Sequence, residues 1–507
     1  GRRGAGWGEQ MTLAELLDGP RGALLRRRLR ARLPRAAARG LLSVTLDLGA
    51  GGEQRWLDGD LARAQLNWWA RPAGAAPDVA AGDGREAVQR SGAHGDYRLA
   101  VGSAMSFTST GAARFAALQA AFSGLAPVWE HDDWQQTGFV PLAHIGFAFD
   151  EDAGNGASTA DELPNARLLV PAVLLANRAG RCSATFSCAV GEGEGAIDRW
   201  RDALRAVQPP DWTAAAAPPA SVVRRRSEVL AERAFLARAR AALAEIAGGR
   251  LAKLVLARSV RFDGDRPIAL APLLAALADR HPECAIFGVG ERGQFFLGAT
   301  PERLVALRRG VVEADALAGT AWLAAVSAAG EGRSLTLQDD KNTREQQLVV
   351  DAVRTALAPL CVALAAPTPA EVLQLRELQH LRTRVRGRLH PGVGLFDVVA
   401  RLHPTPAVGG TPAGAARQWL RSHGDRRGAW YSGGVGWIDR DGDGEVVVAL
   451  RCARIKGCGA ELFAGAGIVA GSDPAQELAE TEAKLAVIAE ALRQALPAVH
   501  RPESRSA

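Results

Sequence analysis

Strand-like and helical segments alternate irregularly in the second half of this 507-residue chain. Four β-like runs, at 253–262, 284–290, 294–299 and 304–308, are accompanied by a single helical pattern, at 270–280. A parallel sheet requires a crossover helix between most successive strands, and this order does not supply one. We therefore predict an α+β protein with largely antiparallel sheets.

The remaining predicted elements follow the same irregular order. Strands are predicted at 42–48, 97–102, 144–150, 167–175, 434–439 and 445–453, and helices at 227–246, 344–360 and 474–496. A stretch rich in Pro and Ala at 207–221 is typical of a linker or a long surface loop. We divide the chain into a basic N-terminal segment (1–40), an N-terminal part of the fold (41–226), a C-terminal core that carries the motifs described below (227–500) and a tail (501–507).

Composition narrows the classes of function. Hydrophobic residues make up 48% of the chain, which is enough for a large core, and no uncharged apolar run is long enough to span a membrane. The net charge of +6 comes from arginines spread along the sequence. A diffuse positive charge suits small anionic metabolites. The sequence does not concentrate this charge into a basic face with interleaved aromatic residues, which would indicate nucleic-acid binding.

The densest basic run, with eight arginines and no acid, extends from Arg21 to Arg39. Leucines and alanines are interleaved in it, so we predict a helix with an arginine-rich solvent face; the alternative is a transit-peptide-like or membrane-surface segment. The six cysteines include no CxxC pair. This spacing argues against a zinc site and indicates free thiols in a reducing compartment, so we expect a cytoplasmic protein.

The predicted helix at 474–496 carries charged residues on one face. Glu477, Glu480 and Lys484 are spaced i, i+3 and i+7. Two neighbouring carboxylates attract a divalent cation, and oxygen-only ligands suit Mg²⁺. The alternative is a solvated charged face that contains one ion pair.

Nine motifs occur in a defined order along the chain. They are KLVLAR at 253–258, ATPERL at 299–304, ALAGT at 316–320, KNTREQQLVV at 341–350, QHLRTRVRG at 379–387, HPTPAVGG at 403–410, WYSGGVGW at 430–437, ALRCARI at 449–455 and GAGIVAGSDPAQELAETEAK at 465–484. In this order they resemble the chorismate-utilising enzymes: the anthranilate, aminodeoxychorismate, isochorismate and salicylate synthases. The resemblance implies one large domain of two stacked, mainly antiparallel sheets, with helices outside and the site in the cleft between them.

The resemblance implies an acid and a base. Lys253 begins a strand with apolar neighbours, and from the residues alone it is either solvated or a desolvated base. In the resembled family, a lysine here marks the members that add water to chorismate, so Lys253 is implied as the general base. Glu302 is implied as the general acid that protonates the departing 4-hydroxyl group; the alternative is a surface turn acid paired with Arg303.

The resemblance also implies a magnesium site. Glu345 and Glu480 are the implied ligands across the cleft, with Glu477 nearby or bridging through water. We predict Glu345 in the first turn of a helix, where the helix dipole favours an anion. Gln346 stands where the family carries histidine, and we expect this departure to tune the site by donating a hydrogen bond to a carboxylate.

The substrate-binding residues are likewise implied by the resemblance. Arg451, which we place in a strand, and Tyr431 would hold one carboxylate. The alternative for Arg451 is an arginine on an edge strand that reaches solvent. Lys484 and the backbone of Gly465 and Gly467 would hold the enolpyruvyl carboxylate. The other implied substrate-binding residues are Gly319, Thr320, His380, Thr383 and Ala407.

Four reactions share the resembled scaffold. Ala318 replaces the nucleophilic lysine of aminodeoxychorismate synthases, and Lys253 argues against anthranilate synthesis and against a glutaminase subunit. The resemblance therefore implies Mg²⁺-dependent, reversible conversion of chorismate to isochorismate. The alternatives are a salicylate synthase, which also eliminates pyruvate, and a chorismate-binding protein without activity. We expect a monomer, and the consuming pathway (menaquinone, siderophore or salicylate) stays open.

Overall fold

The computed structural model describes residues 16–37, 39–50, 66–71, 96–152, 163–207, 223–226, 229–291, 293–322, 340–376, 378–425 and 427–495. The helices in these segments are α1 (Gly19–Arg32), α2 (Arg114–Leu125), α3 (Ala196–Ala206), α4 (Val229–Ala247), α5 (Leu270–Arg280), α6 (Asp340–Leu357), α7 (Leu395–Leu402), α8 (Ala413–Ser422) and α9 (Pro474–Ala495).

The strands run from one end of the described chain to the other. They are β1 (Leu41–Ala50), β2 (Leu66–Arg71), β3 (Asp96–Val101), β4 (Met105–Ser109), β5 (Trp129–Asp132), β6 (Leu142–Phe147), β7 (Ala166–Val170), β8 (Val173–Arg178), β9 (Arg181–Ala189), β10 (Val223–Arg225), β11 (Lys253–Gly264), β12 (Ala285–Glu291), β13 (Gln294–Thr300), β14 (Arg303–Arg308), β15 (Val311–Trp322), β16 (Cys361–Leu364), β17 (Glu371–Gln374), β18 (Leu378–Leu389), β19 (Gly410–Thr411), β20 (Gly434–Asp439), β21 (Gly444–Val448), β22 (Cys452–Lys456) and β23 (Gly459–Val469).

These strands form two sheets. The larger sheet has the order β10-β11-β23-β22-β13-β12-β2-β3-β8-β9-β1-β5, with β19 paired to β11. The smaller sheet has the order β16-β18-β15-β14-β21-β20-β6-β7-β4, with β17 paired to β18. Among the described strands, β1 and β5 form the one parallel pair, so the predicted α+β fold with mainly antiparallel sheets is confirmed.

The two sheets stack face to face. Between them lies a buried cluster that includes Trp69 of β2, Phe287 of β12 and Trp437 of β20. The helices cover the outer faces: α5 and α9 pack on the larger sheet, and α6 and α7 on the smaller one. This layering confirms the predicted cleft architecture and fixes where residues at the strand ends can meet.

Sequence periodicity explains why the outer helices form and dock. In α5, Leu270, Leu273, Leu274 and Leu277 follow the i, i+3, i+4, i+7 spacing of one helix face, and all four are buried. Burial of each such side chain contributes about 1.5–3 kcal/mol. The observed bounds of α5 coincide with the predicted helix at 270–280.

Two predicted strands were wrong in the same way. The run at 167–175 is broken at Pro171 into β7 of the smaller sheet and β8 of the larger sheet, because proline cannot donate to a ladder. The run at 445–453 is likewise broken into β21 and β22, which belong to different sheets. In both cases the chain passes from one sheet to the other.

Helix boundaries also differ from the predicted ones. The helix expected at 344–360 begins at Asp340, so Glu345 lies in its second turn and the first-turn dipole argument was wrong. The basic N-terminal run forms α1, as predicted, and buries Leu25 and Leu29 against the larger sheet. None of the described helices is long and apolar enough to cross a membrane.

Candidate active site

Two crossings between the sheets place an acid and an arginine side by side. The chain leaves the larger sheet after Thr300 and returns to it at Cys452, so Glu302 and Arg451 each lie at a crossing. Backbone hydrogen bonds connect these segments, from Val448 N–H to the Glu302 carbonyl at 3.0 Å and from Ala299 N–H to the Arg451 carbonyl at 3.1 Å. Arg451 was predicted within a strand and instead occupies the turn.

The backbone at Arg451 is unusual for a non-glycine residue. Its φ of 45° is in the left-handed region, which costs a side-chain-bearing residue of order 1–3 kcal/mol. The Arg451 side chain is buried, and burial lowers the pKa of its guanidinium group. A strained and buried cation is held there by the surrounding structure, which is typical of a functional position.

Lys253 and Glu345 form a buried ion pair. Lys253 begins β11 and is 1% exposed, and its Nζ donates to Glu345 Oε1 of α6 at 2.8 Å. Lys253 therefore lies away from solvent, contrary to the solvated alternative. A Cβ added to Gly467 of the neighbouring β23 would lie 3.0 Å from Glu345 Oε1 and 3.2 Å from Lys253 Cε, so glycine is needed for this close approach.

A second lysine–carboxylate pair lies at the start of α9. Asp473 caps this helix by accepting hydrogen bonds from Ala475 N–H at 2.7 Å and Gln476 N–H at 3.0 Å. One turn apart further along α9, Lys484 Nζ contacts Glu480 and also donates to the Gly465 carbonyl at 3.0 Å. The charged face of α9 is therefore turned toward β23 and is largely withdrawn from solvent.

His380 connects Arg451 to the backbone of β15. Arg451 Nη2 donates to His380 Nε2 at 2.9 Å, and His380 Nδ1 lies 3.2 Å from the Gly319 carbonyl. Because an arginine can only donate, the imidazole proton is assigned to Nδ1, which donates to Gly319. Burial lowers the pKa of His380 to about 3, and the charge of Arg451 acts in the same direction. His380 is therefore a neutral group that orients the arginine.

Tyr431 completes this side of the cleft. Its ring stacks on Phe463 with centroids 5.4 Å apart, and a Cβ added to Gly465 would lie 2.8 Å from its hydroxyl oxygen. Burial raises the pKa of Tyr431, which keeps the phenol protonated and able to donate. Tyr431 and Lys484 thus approach Gly465 from its side-chain position and its carbonyl, respectively.

Glu302 has the most distinctive electrostatic environment of the site. Burial raises its pKa to about 7, while the positive charges of Lys253, Arg451 and Lys484 act in the opposite direction. The negative charge of Asp315 adds to the increase. A carboxyl group with this pKa can be protonated near neutral pH and is suited to give up a proton there.

Gln346 does not donate to a carboxylate, contrary to the prediction. Its Nε2 donates to the Ala316 carbonyl and to Thr383 Oγ1, both at 3.0 Å, and its Oε1 is buried without a hydrogen-bond partner in the described part of the chain. Thr383 consequently faces α6, on the opposite side of β18 from His380.

The remaining predicted substrate-binding residues are less informative. Ala407 is half-buried against the core of the smaller sheet. The backbone of Thr320 pairs with His380, and its side chain lies outside the described residues. Gly319 adopts φ of +68°, which a side chain would disfavour, and thereby forms the bulge that presents its carbonyl to His380.

The carboxylates do not form a ready-made metal cage. In the described residues, no group of three Asp, Glu, His or Cys side chains is close enough to hold a metal ion. Glu345 and Glu480 are each paired with a lysine, and Glu477 is buried at the start of α9. These hard oxygen donors fit Mg²⁺, which commonly uses one or two carboxylates and completes its shell with substrate oxygens and water.

The supporting roles of two arginines were missed from the sequence. Arg303 binds the buried carboxylates of Glu313 and Asp315, the latter at 3.1 Å, next to Glu302. Arg427 donates to the carbonyls of Val255 and Val408 at 2.8 and 2.7 Å, which fixes β11 two residues beyond Lys253. Arg303 belongs to the ATPERL motif, so the sequence offered a reason to consider it, whereas Arg427 belongs to none of the nine motifs.

The assembled residues can perform paired proton transfer on an anionic molecule. The cleft brings together a buried amine (Lys253), a carboxyl group that is protonated near neutral pH (Glu302) and two separate cations (Arg451 and Lys484). Two cations at distinct positions suit a dicarboxylate. An acid and a base in one cleft suit the addition of one group and the departure of another.

Comparison with known proteins gives the same picture. Residues 84–493 match the family model described as "Chorismate binding enzyme". The chain is 40% identical over 254 residues to "Salicylate biosynthesis isochorismate synthase" of Pseudomonas aeruginosa, a match that covers 50% of this chain and 53% of that protein. The chain thus spans about half the length of this relative.

Two further matches cover more of the chain. "Isochorismate synthase MenF" of Bacillus subtilis is 31% identical over 366 residues, which cover 72% of this chain and 77% of that protein. The crystal structure of MenF, the menaquinone-specific isochorismate synthase of Escherichia coli, superposes with a TM-score of 0.68 at 26% identity, covering 94% of this chain and 99% of that one.

Proposed function

The chain belongs to the chorismate-binding enzyme family, and from this premise we propose that it is an isochorismate synthase. The proposed reaction is the reversible conversion of chorismate to isochorismate. The observation that carries the proposal is the pairing in one cleft of a buried lysine, Lys253, with a carboxyl group, Glu302, whose pKa is raised to about 7. The names of the two isochorismate synthase relatives support the same reaction.

The proposed chemistry uses the two residues on opposite sides of the substrate ring. Lys253, once neutral, takes a proton from water as the water oxygen bonds to C2 of chorismate. The ring double bonds shift, the C4–oxygen bond breaks, and Glu302 gives its proton to the departing hydroxyl group. One water enters and one leaves, so the substrate is isomerised without net hydration.

The two carboxylates of chorismate need separate partners. We assign one to Arg451 and Tyr431, because His380 holds the arginine and burial keeps the phenol protonated. We assign the enolpyruvyl carboxylate to Lys484 and the backbone of Gly465 and Gly467. Glycine at these positions lets the Tyr431 hydroxyl group and the Glu345 carboxylate approach the main chain closely.

Mg²⁺ is the proposed cofactor, with Glu345 and Glu480 as ligands and Glu477 as a supporting carboxylate. When bound, the ion would neutralise carboxylate charge between protein and substrate. In the structure these two glutamates hold Lys253 and Lys484. A cation held by Glu345 would therefore compete with Lys253 for this carboxylate.

Product analysis tests the proposed reaction. Incubation of the protein with chorismate in ¹⁸O-labelled water should give isochorismate with label on the new C2 hydroxyl group, and the reaction should also run from isochorismate to chorismate. Salicylate and pyruvate as main products would instead support the lyase alternative. Unchanged chorismate under all conditions would contradict both.

Removal of divalent cations tests the proposed cofactor. We expect excess EDTA to abolish turnover and added Mg²⁺ to restore it. Lys253 and Lys484 are assigned to water activation and to substrate binding, so Glu345 and Glu480 then need another cation to offset their charge beside a dicarboxylate. Glu345→Gln and Glu480→Gln should raise the Mg²⁺ concentration needed for half-maximal activity. As a matched control, Glu194→Gln, which removes an exposed carboxylate paired with Arg30 outside the cleft, should leave this requirement unchanged. Full activity in EDTA would refute the metal assignment.

A further inference from the structure

Strand β18 carries arginine at every second position beyond His380. The four residues Arg382, Arg384, Arg386 and Arg388, here called the arginine row, share the strand face of His380 because side chains alternate with a period of two. The opposite face holds buried residues such as Val385 and packs on α6. The arginine row therefore begins at the cleft and extends away from it.

Exposure increases steadily along the arginine row. His380 is buried, whereas the side chains of Arg382, Arg384 and Arg386 are 18%, 34% and 48% exposed. At about 3.3 Å per residue, Arg382 lies about 7 Å and Arg388 about 26 Å along the strand from His380. The positive charges thus form a path from solvent to the residue that holds Arg451.

Acidic partners only partly neutralise this path. Glu371 of β17 accepts hydrogen bonds from Arg382 Nε at 2.7 Å and Arg384 Nη2 at 3.0 Å. Glu313 of β15 accepts from Arg386 Nη2 at 2.7 Å and also binds Arg303. Arg382 and Arg384 thus share one carboxylate, whereas Arg303 and Arg386 have two, Glu313 and Asp315. Among the described residues, an excess of positive charge therefore remains at Arg382 and Arg384.

We propose that the arginine row is an electrostatic guide that attracts the dianionic substrate and leads it along β18 into the cleft. This inference rests on the proposed function, because it assumes a small molecule with two carboxylates. Two unit charges attract measurably through water at about 10 Å, and a dianion doubles the effect. Exposed charges are screened beyond about 8 Å at physiological ionic strength, so the guide acts most strongly at low salt.

The test is the dissociation constant of chorismate, measured by isothermal titration calorimetry at about 0.01 M and about 0.15 M ionic strength. At low salt, Arg384→Gln should weaken binding by about threefold, since Arg384 lies about 13 Å along the strand from His380. Glu371→Gln should tighten binding by a similar factor, because it removes the carboxylate shared by Arg382 and Arg384. At the higher salt both effects should shrink to less than about 1.5-fold.

Arg27→Gln is the matched control, because Arg27 is exposed on α1, outside the larger sheet, and carries the same charge. It should leave the dissociation constant unchanged. The guide is refuted if Arg384→Gln has no larger effect than Arg27→Gln, or if Glu371→Gln weakens binding. Because binding is measured and not the product, a product other than isochorismate would contradict the proposed reaction without altering this result.

Discussion

Replacement of Lys253 by alanine should lower kcat by at least about a hundredfold while chorismate binding changes little. One positioned general base contributes about 10²–10⁴-fold, and its loss acts on the chemical step more than on the ground state. Lys253 is buried on β11 and is the amine that the proposed water activation requires. The measurement is steady-state kcat together with the dissociation constant for chorismate.

Two further variants make this expectation specific. Lys253→Gln retains a hydrogen-bond donor toward Glu345 and removes the base, so it should be about as slow as the alanine variant. Lys456→Ala, at an exposed position of β22, removes the same charge outside the cleft and should retain full activity. A Lys253→Ala enzyme within tenfold of the unmodified rate would eliminate this lysine as the base.

Replacement of Glu302 by glutamine should reduce kcat by about 10²–10⁴-fold, because the departing C4 hydroxyl group loses its proton donor. The amide is similar in size and neutral, like the protonated acid, so the buried site should retain its packing. Thermal unfolding of the variant should therefore resemble that of the unmodified enzyme. A fold that is intact and a rate that is unchanged would together exclude Glu302 as the acid.

The pH dependence gives an independent test of Glu302. Burial raises its pKa to about 7, and the proposed acid is active only when protonated. As pH rises above that pKa, the protonated fraction falls about tenfold per unit, so forward kcat/KM should fall in parallel. The Glu302→Gln variant should lack this alkaline decline in its residual activity. Persistence of the same decline in the variant would assign it to another group.

Local sequence patterns predicted many elements well. The strand at 434–439 and the helix at 270–280 have the same bounds in the structure, because short-range alternation and helical spacing determine them. Gly288 and Gly290, whose spacing could suggest a dinucleotide site, lie in β12, which pairs with the neighbouring strand β13. In these cases the neighbouring residues along the chain carry all the needed information.

The crossings between sheets could not be predicted in the same way. Apolar residues continue through 445–453, and nothing local indicates that Arg451 adopts a left-handed conformation and ends one strand before another begins. That conformation depends on pairing with β13 and β23, far away in sequence. By contrast, the earlier crossing was predictable from the sequence, because Pro171 lies inside the predicted strand at 167–175 and proline cannot donate to a strand ladder.

The same distinction holds for the site. Motif resemblance predicted that Lys253, Glu302, His380 and Arg451 belong to one cleft, and their mutual electrostatic effects are consistent with this. The lysine partners of Glu345 and Glu480 were harder to predict. Lys484 and Glu480 lie four residues apart in one helix, whereas Lys253 and Glu345 are far apart in sequence. The binding of Gln346 to Thr383 depends on how α6 docks on the smaller sheet, which no local pattern specifies.

The proposed base and the proposed acid lie on different elements of the fold, and this separation affects how the reaction of such a protein could change. Lys253 lies on β11, next to α6, β19 and β23, whereas Glu302 and Arg451 lie at the two neighbouring crossings between the sheets. A substitution at position 253 could therefore change the nucleophile without displacing the leaving-group donor or the carboxylate-binding arginine. In such a cleft, position 253 can be exchanged while Glu302 and Arg451 stay the same. New reactions could therefore arise by a single substitution without a change of the fold.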